Sequence, residues 1–524
     1  MRQFVISRVV RLGVVATMAA ALGGVFMGGV LNGPAAYAGK KDDTLVWVTD
    51  RENSIVDSSY LNSRESVILG TLIYDHLIHL DEKYQPVPLL ATKWTWVGDK
   101  TLDLEIRDGV KFHSGKAMTA EDVAYTFNFN IDKASASFNY AYLSWIEKAE
   151  VLEPFKVRLH MNKTFPAALI YIAGSINIMP KGHYDAAPLK PDGKKDFGAV
   201  PADGTGPYRV VEIKPGESVL REKNAAYWEG SPKGKPQIGK IKFRTIKDAN
   251  TRLAELMTGA IDWVWDVPRE QAERLATAPN LQVENAKTLR FSYISFDVQG
   301  VTPQKFFTDK RVRQAVAHAI DRQSLVKNLV GAPAEVIHTP CHPDQFGCTQ
   351  DVPKYDYDPA KAKKLLAEAG YANGFEFDLY AYREREYAEA IIGDLTKVGL
   401  KPRLNFLQYS AFNQALVKGQ MPAGNGTWGS SSIPDISAAT GYFFTGTSED
   451  MTRDPETIRR IAEADGTVDP EKRKELWRQI QIRISEEAFW VPLFSYAKYY
   501  VYTKDLDFKA TSDEVPQFYR ARWK

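Results

Sequence analysis

Between residues 90 and 130 the alternation of apolar and polar positions is sharp enough to assign elements. Leu102, Leu104 and Ile106 alternate with Asp103, Glu105 and Arg107, the period of a half-buried strand. Asp108-Gly109 accepts the positive φ values of a two-residue turn, and Val110 and Phe112 resume the alternation, so a hairpin is expected here. Thr119 can then cap a helix with Glu121 and Asp122 in its first turn and Val123, Phe127 and Ile131 recurring at i, i+4. Upstream, Leu45 and Trp47 alternate in a first strand that turns into a polar loop at residues 50–59. Gly204 and Gly206 around Thr205 predict a tight turn before a strand at residues 208–211. A helix ends near Gly259, and Trp263 and Trp265 alternate in the short strand after it, one toward the core and the other toward a cleft. The apolar-alternating strand in residues 291–299 precedes a helix capped at Thr308 or Asp309, with Val312, Ala315, Val316, Ala319 and Ile320 on one stripe and His318 off it. Asp358, Pro359 and Gly370 bracket another helix. Strands alternating with helices through this half predict an α/β fold.

Composition adds a compartment. Arg2, Arg8 and Arg11 precede an uncharged run over residues 12–31, and Ala36-Tyr37-Ala38 supplies the small residues of a signal-peptidase site, so residues 1–38 read as a cleaved secretory signal. The run is also about as long as the shortest membrane span, which leaves an uncleaved anchor as the alternative. Cleavage would remove three arginines and no acid, turning the formal charge of +2 into −1. A near-neutral chain with both signs mixed makes no electrostatic case for nucleic acid. Cys341 and Cys348 are the only cysteines and share one Pro-rich loop, so in an exported protein they are expected to form a disulfide. A metal site is the competing reading, because His338 and His342 flank Cys341. Aromatic residues make up 12% of the chain, with 11 Trp, a share that suits either cleft walls or an aromatic core.

Catalytic and cofactor patterns are sparse. Gly424 to Gly429 spell G-x-G-x-x-G with Glu449 twenty residues on, but Pro434 stands where a dinucleotide fingerprint needs a continuing helix. No Walker loop, H-E-x-x-H, G-x-S-x-G or Cys-x-x-Cys is present, and none of the 8 His pairs with an acid or Ser to suggest a triad. No cofactor, metal centre or catalytic residue is expected, although carboxylates in a cleft keep an exported hydrolase as a separate class.

Residues 89–129, "LLATKWTWVGDKTLDLEIRDGVKFHSGKAMTAEDVAYTFNF", closely resemble the signature segment of the family 5 extracellular solute-binding proteins, and Gly-Thr-Gly-Pro-Tyr at residues 204–208 is similar to a second landmark of that family. These are the oligopeptide, dipeptide, nickel and opine receptors of bacterial ABC importers. The resemblance covers the mature chain and implies the type II periplasmic-binding fold, two α/β lobes joined by two hinge crossings with an extra domain in the first lobe. The implied segments are residues 39–82, 201–296 and 489–524 for lobe I, 83–200 for the extra domain and 297–488 for lobe II, with hinges near 291–299 and 489–496. It also implies a monomeric periplasmic receptor that passes a peptide or peptide-like solute to an inner-membrane permease; a non-peptide solute such as an opine, sugar conjugate or metal chelate is the alternative.

By the same resemblance Asp50, Arg51 and Glu52 follow a strand whose loop lines the cleft, though a solvated loop reads equally well. Trp265 is the cleft-facing candidate of its pair. In the family's peptide receptors a Trp is followed by an Asp just before a Pro, and that carboxylate holds the peptide's ammonium. Here Trp428 and Pro434 are present but Ile433 stands before the Pro, with Ser430, Ser431 and Ser432 as neutral polar neighbours and Asp435 one residue beyond. A one-residue slip would point Asp435 to the other face, so the serines read either as ligand donors or as a turn. Tyr382, Arg383 and Arg385 are candidates for a ligand carboxylate.

Overall fold

The computed structural model describes residues 39–52, 55–61, 63–429 and 433–524. The expected signal peptide and Ser430, Ser431 and Ser432 lie outside the described residues. Two long strands, Leu281–Phe296 and Trp490–Thr503, run antiparallel through the middle of a ten-stranded sheet. On one side Ala423–Trp428, Glu376–Ala381 and Lys401–Phe406 follow in order; on the other come Trp263–Val264, Thr44–Thr49, Lys240–Thr245, Ser218–Lys223 and Tyr208–Lys214. The long pair is continuous in neither register nor environment. Residues 281–287 pair with 497–503, 291–295 pair with 490–495, and the register slips between Lys287 and Phe291. Cores form on both sides of that slip, one around Trp47, Trp263 and Phe243, another around Phe307, Val316 and Leu379.

Local chemistry accounts for most elements. Thr44–Thr49 is buried on both faces, with Leu45 and Trp47 in one core and Val46 and Val48 in another, because parallel neighbours flank it on both edges. The helix Ala120–Ile131 starts at Thr119, whose backbone N–H donates to the Asp122 carboxylate at 2.8 Å. Asp358 accepts from the Lys361 N–H to start Pro359–Glu368, and Asp248 accepts from the Thr251 N–H to start Ala249–Thr258, which Gly259 ends in the left-handed conformation.

Two expectations change. The strand Thr101–Ile106 does not fold back onto residues 110–112: it pairs with Ala91–Trp96 through a turn at Gly98 (φ 73°) and with Lys156–Met161 on its other edge. Both edges are therefore occupied, and the Asp108-Gly109 turn carries the chain away while Val110 and Phe112 are buried in the same core and residues 110–112 pair instead with 116–118 through a single bridge between Lys111 and Ala117. Gly204 and Gly206 make no left-handed turn; they let the chain pass close against the backbone of Ile73. His318 is buried, with Nδ1 2.7 Å from the Asp356 carbonyl. Cys341 and Cys348 are joined in a disulfide with Cα atoms 5.9 Å apart, which removes both thiolates that a metal at that loop would use.

Candidate ligand-binding site

Strands from both halves of the large sheet end at one cavity of about 200 Å³. Thr49, Asp50 and Arg51 stand at the end of Thr44–Thr49, Trp265 and Asp266 follow Trp263–Val264, and Arg383 follows Glu376–Ala381. Each of these strands has a parallel neighbour, so the cavity sits outside carboxyl ends, the usual place for a ligand crevice in an α/β sheet. Arg64 and Glu65 enter from the first turn of the helix Arg64–Ile73, Arg290 and Lys498 from the two long strands, and Glu514 from the C-terminal segment.

Glu514 organises the charges. It is 2% exposed, and Arg290 and Lys498 lie 3.0 Å away with Arg64 at 3.5 Å. Burial disfavours its charge, but the three cations outweigh burial and hold its carboxyl well below the usual range. Lys498 also pairs with Asp266 at 3.0 Å and lies 4.5 Å above the Trp265 ring. Arg383 donates to Glu384 at 2.7 Å, and Glu384 accepts from the Tyr496 hydroxyl at 3.0 Å. Burial works against the Arg383 charge, yet Glu384 and Asp266 keep it above its ordinary range. These three carboxylates share a backbone anomaly: Asp266, Glu384 and Glu514 all lie at positive φ, 53°, 40° and 59°. A non-glycine residue there is strained by roughly 1–3 kcal/mol, and strain of this kind gathers at binding and catalytic sites. Arg51, Arg64 and Arg290 also line a second cavity of about 200 Å³.

The sequence pattern of the bacterial extracellular solute-binding proteins, family 5, matches residues 85–450. The chain belongs to that family. Similar proteins include the glutathione-binding protein GsiB of Salmonella typhi, 29% identical over 490 residues that span 89% of this chain and 91% of that one. Heme-binding protein A of Haemophilus influenzae is 27% identical over 454 residues, 80% of this chain and 81% of that one. Among solved structures, the ABC transporter-associated periplasmic binding protein DppA from Helicobacter pylori, in complex with the peptide STSA, superposes with a TM-score of 0.78 at 25% identity, covering 92% of this chain and 98% of that one. The fold is therefore the type II periplasmic-binding fold, and this family-5 protein is a member of a group of binding proteins.

In this family-5 protein four of the candidates read from the sequence meet in the first cavity: Asp50, Arg51, Trp265 and Arg383. Tyr382 stands behind them, its hydroxyl 3.0 Å from Thr427 Oγ1, which also accepts from Arg290 at 3.2 Å. Trp428 stacks on Tyr442 at 4.8 Å, and its buried indole N–H has no acceptor among the described residues. Glu52 points outward to Lys247 at 2.7 Å, and Arg385 lies on the exposed side of its helix, paired with Glu389 at 2.8 Å. Asp435 is buried and grips Arg473 by two bonds of 2.7 and 2.9 Å, so its carboxylate is already occupied. The G-x-G-x-x-G glycines lie in the strand Ala423–Trp428 and the residue after it, not at a helix. A Cβ on Gly426 would sit 2.7 Å from the Tyr293 ring and one on Gly429 2.9 Å from the Arg290 guanidinium, so both make room for large side chains. Sequence reasoning missed Arg64, Glu65, Arg290, Lys498 and Glu514. A signal existed for two: Arg290 is the lone charge in residues 288–296 and Lys498 the lone charge in residues 489–503.

A second, partly buried acid gives a pH prediction. Asp465 lines a cavity of about 500 Å³ with Lys100, Lys163 and Ile458, and burial raises its carboxyl to about 6, against the pull of Arg473 at 3.9 Å. A raised carboxyl binds more protons in the folded state than in the unfolded one, so its ionisation is a cost fully present above about pH 6 and gone below the unfolded value of 3.8. Asp465→Asn is therefore expected to stabilise the protein by about 1–2 kcal/mol at pH 8, discounting ~1.4 kcal/mol per unit for the open cavity. The gain should disappear by pH 4. Urea unfolding at both pH values checks it, and a variant less stable than the parent at pH 8 would contradict it.

Proposed function

We propose that the mature chain is a periplasmic receptor that captures a short peptide or peptide-like solute and presents it to the permease of an ABC importer, without chemical change to the solute. The observation that supports this reading is the charged cavity where strand ends of both sheet halves converge on Arg290 and Lys498, one cation from each of the two long strands. Relatives named for glutathione and oligopeptide binding, and the ABC transporter-associated DppA solved with a bound peptide, point to the same class. In this reading residues 39–82, 201–296 and 489–524 form one lobe with residues 83–200 added to it, and residues 297–488 form the other. The lobes swing about residues 288–290, where the long strands slip register, a few residues before the stretch read from the sequence. Residues 1–38 direct export and are removed, and the receptor acts as a monomer.

Thermal melting with glutathione and a panel of di- and tripeptides tests the reading, together with mass spectrometry of what the protein carries from its host. A rise in melting temperature that grows with peptide concentration, and release of the ligand intact, are expected. Turnover of the ligand, or no shift from any member of the panel, would overturn it.

A further inference from the structure

The two cavities that share Arg51, Arg64 and Arg290 differ in charge. The first holds acids among its cations, whereas no Asp or Glu among the described residues lines the second. Its remaining polar wall is neutral and includes Ser58, Asn139 and Asn177. The His76 ring there contacts the Ala173 carbonyl at 2.8 Å and the Asn177 side chain at 3.3 Å, and burial lowers it to about 4, so it adds no charge at neutral pH. The protein's own compensation for the arginines is partial. Arg64 and Arg290 share the carboxylate of Glu514 with Lys498. The Arg51 guanidinium makes no hydrogen bond or ion pair among the described residues. An excess of positive charge in a partly dehydrated wall is unfavourable until an anion enters, and guanidinium forks then bind a carboxylate with two parallel bonds. A cavity of about 200 Å³ has room for one acidic side chain but not for a run of residues.

Resting on the peptide-receptor reading above, we propose that the solute is acidic: a short peptide or peptide-like molecule with more carboxylates than ammonium groups, one carboxylate of which enters the second cavity among Arg51, Arg64 and Arg290. An ammonium or guanidinium placed there would face three like charges, which excludes basic side chains from that position.

The test is calorimetric titration of the full mature protein with alanine tripeptides in which each position in turn carries Glu, Gln or Lys. At one position the Glu peptide is expected to bind about tenfold or more tightly than its Gln counterpart, with Lys the weakest, as befits a charge-assisted fork. In Arg51→Gln, whose parent side chain is exposed, the Glu-to-Gln affinity ratio should shrink about fivefold. Gln or Lys peptides that bind as tightly as Glu at every position would overturn the proposal and leave the peptide-receptor reading standing. A Glu-to-Gln ratio unchanged in Arg51→Gln would overturn the assigned cavity. No binding by any tripeptide or by glutathione would bring down the receptor reading and this inference together.

Discussion

Glu514→Gln is expected to destabilise the protein by about 3–5 kcal/mol, the usual consequence of removing one partner from a buried ion cluster. The carboxylate lies within 3.5 Å of Arg64, Arg290 and Lys498, and Lys498 has a further acid, Asp266, within ion-pair reach. Gln fills the same space but returns no charge, so cations that share one buried acid would repel each other at short range. The residue also sits at φ 59°, a conformation neither Gln nor Glu favours, so relief of backbone strain cannot offset the loss. Equilibrium unfolding in urea reads the effect, and a loss below about 1 kcal/mol would mean that water already screens the cluster. Arg290→Met added to Glu514→Gln should recover part of the loss, because one of the stranded cations goes with its partner; a coupling of ~1 kcal/mol or more is expected for groups in direct contact. Solute affinity should fall with Glu514→Gln as well, since Arg64 and Arg290 lose the group that aims them into both cavities.

What the sequence revealed and what it hid divide along the range of the interactions. Caps such as Asp248, Asp358 and Asp309 act within three residues of themselves, so their helices are legible directly. The failed hairpin at Asp108-Gly109 shows the limit of local pattern: the turn is real, but the strand that occupies the edge is Lys156–Met161, some fifty residues away. Site residues follow the same rule. Arg51 and Arg383 reach the cavity whereas Glu52 and Arg385 do not, and a loop conformation or a helix start, not residue type, separates them. Glu514 lies 224 residues from Arg290 along the chain, and nothing in the local pattern of the C-terminal segment marks it as their meeting point. The one-residue slip that speaks against Asp435 as an ammonium holder is visible in the sequence, but Arg473, which occupies its carboxylate, sits on the helix Pro470–Glu486 and has no local link to it.

Gly206→Ala is expected to destabilise the protein by about 3 kcal/mol or more, and for a steric reason alone. Gly206 is not in the left-handed region, so alanine meets no backbone penalty of its own. Its Cβ would lie 2.5 Å from the Ile73 carbonyl carbon and 2.7 Å from the Leu72 oxygen, while the Gly206 N–H donates to the Ile73 oxygen at 2.8 Å. Overpacking against side chains costs about 1–3 kcal/mol because they can turn aside; here the neighbours are the backbone at the end of the helix Arg64–Ile73. That backbone is held in place next door, where Asp75 accepts from Lys233 at 2.8 Å, Tyr227 at 3.0 Å, Trp228 at 3.1 Å and Thr205 at 3.2 Å. The other end of the same helix carries Arg64 and Glu65 into the first cavity, so a shift forced at Ile73 should also weaken solute binding. Gly393 gives the opposing case: it lies within the helix Arg385–Lys397, a Cβ added there would meet nothing within 4 Å, and Gly393→Ala should stabilise by about 0.5–1 kcal/mol through helix propensity. Urea unfolding of the two variants beside the parent should therefore give shifts of opposite sign, and a Gly206→Ala protein as stable as the parent would show that the approach to Ile73 is loose enough to admit a methyl group.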